Sequence, residues 1–80
     1  MQGTVIKANA KREMAIVSTS RGSYTVIELL GGSVQPGDVL EGNLDDMAGE
    51  TLRNVTQMTE LEVFIQSVDA TLEHAAQLIE

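Results

Sequence analysis

The chain has no cysteine and no tryptophan, and only one proline, one tyrosine and one phenylalanine among its 80 residues. Without cysteine there are no disulfide staples, no thiolate nucleophile and no sulfur-ligated zinc. No apolar run approaches the roughly 20 residues a helix needs to cross a bilayer. The opening MQGTVIK lacks the basic-then-apolar order of a secretory signal, so the expectation is a cytoplasmic domain without membrane contact. Asn54-Val55-Thr56 fits the glycosylation sequon but has no meaning without secretion.

Positive charge is also scarce. Five Lys and Arg stand against twelve Asp and Glu, for a net charge of -7. That balance argues against a general polyanion binder, because non-specific affinity for nucleic acid comes mostly from cations displacing phosphate counterions. The distribution is uneven: residues 1 to 27 carry +3 and residues 28 to 80 carry -10. Any anion-facing patch therefore falls on the first hairpin, at Lys7, Lys11, Arg12 and Arg21.

Catalytic groups are few. The single histidine, His74, has no second histidine or carboxylate cluster at ligand spacing and reads as a solvated residue. Asp45-Asp46 falls in a strand-to-turn segment, and alternation puts Glu60 and Glu62 on a solvent face. Gly31-Gly32 is not followed by the Lys-Ser/Thr of a phosphate loop. The expectation is a non-enzyme with no cofactor and no metal.

What is present is the punctuation of a small β-protein. Residues 3–10, 14–20, 24–30, 39–47 and 51–57 read as five short strands, rich in β-branched residues and separated by turn signals about every ten residues. Pro36-Gly37 suits the central positions of a type II turn. Such spacing predicts a mainly β, closed five-stranded barrel over residues 1–58. Residues 59–80 read as an added strand, about 61–67, and a helix over 70–79 with Asp69 as N-cap. A single helix over 60–80 is also legible, since Leu61, Ile65, Val68, Leu72, Ala75 and Ile79 recur at spacings of three and four. In either case Leu72, Ala75, Ala76 and Ile79 form an apolar stripe that must be buried on the barrel or on another chain.

Gly3-Thr4-Val5-Ile6-Lys7-Ala8-Asn9-Ala10 and GETLRNVT, Gly49 to Thr56, supply a resemblance. Residues 2–58 resemble the cold-shock domain, a member of the oligonucleotide-binding class of barrels, whose first and last strands carry segments of this type. The resemblance implies an OB-like fold and single-stranded nucleic acid as ligand. The family's stacking aromatics, however, are replaced here by Lys7, Met14, Ile16, Val26, Glu28 and Leu29. Base stacking on an aromatic contributes about 1–3 kcal/mol per base, so losing several platforms should lower affinity by orders of magnitude. Met14, Ile16, Val26 and Leu29 would instead form an aliphatic patch suited to protein contact. The expected function is a binding module for protein, including a homodimer. The alternative is weak, salt-sensitive binding of RNA or DNA through Lys7, Lys11, Arg12 and Arg21. A third arrangement has the C-terminal segment lying over the patch and filling it from within.

Overall fold

A computed structural model describes all residues, 1–80. The elements in chain order are β1 (Gln2–Asn9), β2 (Met14–Thr19), β3 (Tyr24–Gly31), β4 (Val39–Glu41), β5 (Gly49–Asn54), β6 (Thr59–Ala70) and α1 (Leu72–Ile79). The strands close into an antiparallel barrel in the order β1-β2-β3-β6-β5-β4, with β4 returning to pair with β1. This mainly β barrel with one short C-terminal helix is compatible with an OB-like barrel, with six strands where five were expected.

Alternation explains the inside. Val5, Val17, Ile27, Leu52, Leu61, Val63 and Ile65 point into the barrel and are essentially inaccessible to solvent, while Thr4, Thr51, Arg53, Glu60 and Glu62 face out. A bulge between Val5 and Lys7 shifts the register of β1 against β2, which leaves Ile6 exposed and turns Ala8 toward the core. Leu44, from the loop after β4, plugs the barrel beside Gly3. A Cβ on Gly3 would clash with Val17 Cγ1 and come within 3.1 Å of Leu44 Cδ1 and Ser18 O. Gly3→Ala should therefore destabilise the protein by about 1–3 kcal/mol, the usual range for overpacking, read as a lower urea midpoint at unchanged slope.

Four boundaries differ from the sequence expectation by two residues or more, the first being β5, which spans Gly49–Asn54 where 51–57 was expected. β6 runs from 59 to 70, longer than 61–67, because it pairs with β5 over Thr59–Phe64 and with β3 over Glu62–Ala70. It is a stave of the barrel, and only α1 is added to it, so neither the five-strand count nor the single helix over 60–80 holds. The helix N-cap is Thr71 rather than Asp69, with Thr71 Oγ1 accepting from the His74 N–H at 3.1 Å. Asp69 sits two residues earlier at φ 51°, in the β6 irregularity between Ser67 and Ala70, where its carboxylate accepts from Ser23 Oγ at 3.1 Å. β4 stops at Glu41 rather than running to 47, because Gly42 adopts φ 145° and Asn43 Oδ1 accepts from the Asp45 N–H in an Asx turn. The turn at Pro36-Gly37 is as expected: the Asp38 N–H donates to Gln35 O at 3.0 Å and Gly37 has φ 96°.

Candidate functional site

α1 lies across the outer face of β2 and β3. Met14, Ile16 and Val26 point outward from the barrel, but Ala75 and Ile79 of the helix pack on them, with Tyr24, Ala70, Ala76 and Leu78 around the rim. Ile16 and Val26 are 0% exposed and Met14 9%. Leu29 belongs to the other cluster, inside the barrel. The four residues expected to form an exposed patch are therefore buried. Three of them roof the outer sheet beneath the helix and the fourth faces the core, because Glu28 takes the outward position on β3.

The apolar stripe of the tail is thus satisfied within the same chain. Ala75 and Ile79 are buried and Ala76 is half-buried, while Leu72, at the start of the helix, stays 47% exposed. The β1–β2 turn holds the far end of α1: Asn9 Nδ2 donates to Ile79 O and Arg12 Nη1 donates to Glu80 O. Donors and a cation at a helix C-terminus satisfy its free carbonyls and oppose the negative end of its dipole.

That contact changes the status of the basic residues. Arg12 is committed to the helix end, and Arg21 pairs with Asp45 at 2.9 Å and Asp69 at 3.4 Å. Lys7 and Lys11 are exposed and take part in no ion pair. Of the four cations expected to act together, two remain free. They are the sequence neighbours of Ala8 and Ala10, which with Gly32–Val34 border a groove of about 200 Å³ floored by Met14, Leu29 and Val34, with Glu13 as the one charged residue in its lining.

The outer face of β3, β6 and β5 has the opposite character. Phe64 projects from β6 between Glu28 of β3 and Gly49 of β5, and glycine leaves the ring uncovered at 39% exposure. Leu30, at 62%, lies at the end of β3. Glu60 and Glu62 stand on the same face as Phe64, opposed only by Arg53, which pairs in register with Glu60. Thr51 Oγ1 donates to the Glu62 carboxylate at 3.0 Å, and Gln66 Nε2 donates to Glu28 Oε1 at 2.8 Å, so both carboxylates are held in place. Sequence reasoning did not select Phe64 or Leu30, although the alternation of Leu61, Val63 and Ile65 already put Phe64 on the outer side.

One carboxylate is buried. Asp38 accepts from the Gln35 N–H at 3.0 Å, Asn54 Nδ2 at 2.9 Å and Gln57 Nε2 at 2.7 Å. Loss of hydration pushes its pKa up, but the three hydrogen bonds together outweigh that and hold it below the usual aspartate value. The network ties the Pro36-Gly37 turn to the end of β5 through Asp38 Oδ2. His74 is exposed on α1, and no three His, Asp or Glu side chains stand together as a metal site. Comparison with protein-family models, curated proteins and solved structures finds no match for this chain.

Proposed function

We propose that the chain is a non-catalytic, cytoplasmic binding module on a cold-shock-like barrel, and that it contacts protein through the outer face of β3 and β6 around Phe64 and Leu30. One observation carries this reading: α1 occupies the face on which a cold-shock domain stacks bases, while the only phenylalanine is displayed on a different, acidic face. A ring and an aliphatic side chain surrounded by Glu28, Glu60 and Glu62 match a partner that offers apolar anchors among Lys or Arg. The nucleic-acid alternative keeps only Lys7 and Lys11 as unpaired cations, without a stacking surface.

Amide chemical-shift titrations at low salt separate the two readings. A short peptide alternating Lys and Leu should shift residues 28–30 and 60–66, and Phe64→Ser should weaken that binding at least tenfold, as for a central aromatic anchor. A mixed-sequence single-stranded oligonucleotide should shift neither set. Shifts confined to residues 7–12 with the oligonucleotide, fading as salt is added, would restore the nucleic-acid function instead.

A further inference from the structure

Closure of the barrel leaves one stretch of strand without a neighbour. β1 pairs with β4 only at Gln2, Gly3 and Thr4, and Val5 is then bonded to the turn, its N–H donating to Asp38 O at 2.8 Å and its carbonyl accepting from the Gly37 N–H at 2.7 Å. Beyond the bulge, Lys7, Ala8 and Asn9 pair with β2 on one side and with no strand on the other. Successive residues of an antiparallel strand direct their backbone groups to alternate sides, so part of this segment offers N–H and C=O groups as an edge strand does.

The groove at Ala8 runs beside that edge. Its volume of about 200 Å³ is below the range of roughly 300–1,000 Å³ typical of small-molecule pockets, yet it suits a single aliphatic side chain on Met14, Leu29 and Val34. Glu13 is the one charged residue in the groove lining, and Lys7 and Lys11, which adjoin Ala8 and Ala10 in sequence, are both exposed and unpaired in a chain of net charge -7, so the two cations outnumber the one carboxylate. An unpaired edge, an apolar notch and two cations are together the parts of a strand-addition site, in which main-chain bonds supply affinity and notches for alternate side chains supply selectivity.

We infer that this edge and groove receive an extended acidic segment of a partner protein. The segment lies alongside Ile6–Asn9 as an added strand, inserts one aliphatic side chain into the groove and sets its carboxylates against Lys7 and Lys11. A second copy of this chain is a poorer occupant, because pairing two β1 edges antiparallel brings their lysines together, and facing like charges oppose pairing. The site is separate from the Phe64 face and favours the opposite charge in its partner, so either surface can fail its test without the other.

The test uses a blocked hexapeptide alternating Glu and Val, added to the full-length protein at low salt. Expected are amide shifts at residues 6–10 and 32–34 and slowed amide exchange within Ile6–Asn9. A peptide with Lys in place of Glu should bind at least tenfold more weakly to the unaltered protein, and the Lys7→Glu/Lys11→Glu variant should lose the Glu peptide by a similar factor. The inference is overturned by an absence of shifts at millimolar Glu peptide, by equal binding of the two peptides, or by an oligonucleotide shifting these amides where the Glu peptide does not.

Discussion

Ile16→Asp should release α1 from the barrel and leave the barrel standing. Ile16 is 0% exposed between the sheet and the helix, and its neighbours Met14, Val26, Ala75 and Ile79 offer no polar partner. Truncating a buried isoleucine removes about 2–5 kcal/mol, and a buried unpaired carboxylate adds a penalty of comparable or greater size. The chain has a less costly way out than global unfolding. If α1 lifts away, the introduced carboxylate reaches water on the outside of the barrel, and what is lost is the helix with the burial beneath it. An eight-residue helix is too short to persist alone, so residues 72–79 should lose amide protection while β1–β6 keep theirs. Ile27→Asp supplies the contrast, since Ile27 points into the barrel itself and no element can move aside to hydrate it. That variant should unfold entirely. Equal loss of protection across all seven elements in Ile16→Asp would show that helix and barrel fold as one unit.

The same substitution marks where sequence reasoning reaches its limit. Strand parity alone places Met14, Ile16 and Val26 outward, correctly, because alternation is a local property of the pleat. Exposure is not local. It depends on α1, at the far end of the chain, folding back over the sheet, which the stripe of Ala75, Ala76 and Ile79 requires but cannot direct to one surface. The expected patch sets Leu29 outward beside Glu28, although neighbouring residues on a regular strand face opposite ways, and the structure puts Leu29 inside. Asp69 is chemically a good N-cap, yet its contacts with Ser23 and Arg21, distant in sequence, hold it in the bulged end of β6 and leave capping to Thr71. Pro36-Gly37 is legible because a type II turn is written in two adjacent residues. The free edge of β1 cannot be read from the sequence at all. It follows from where β4 begins: β4 runs antiparallel to β1, so residues beyond Val5 would face the chain before Val39, which there forms the Pro36-Gly37 turn instead of a strand.

Asp38→Ala should be the most damaging single polar substitution, lowering stability by about 2–4 kcal/mol at neutral pH, because it orphans the Gln35 N–H and the amides of Asn54 and Gln57 together. Asn54 is 0% exposed and cannot recover its bond from water. The carboxylate also makes the effect depend on pH in a known direction. Its folded pKa is held below the ordinary value, so near pH 3–4 the unfolded chain binds more protons than the folded one, and stability rises with pH there. The contribution is complete above the unfolded value of about 3.9 and is lost as pH falls through the lower folded value. Asp38→Asn isolates this, since it keeps the shape and one acceptor oxygen but cannot ionise. Urea midpoints measured from pH 7 to pH 2 should show the native protein ahead of Asp38→Asn at neutral pH, with the gap narrowing only below about pH 4. The two proteins differ only at residue 38, so the difference between the two curves reports Asp38. A constant gap across that range would mean that the turn is held by the shape of the side chain, with its charge contributing nothing.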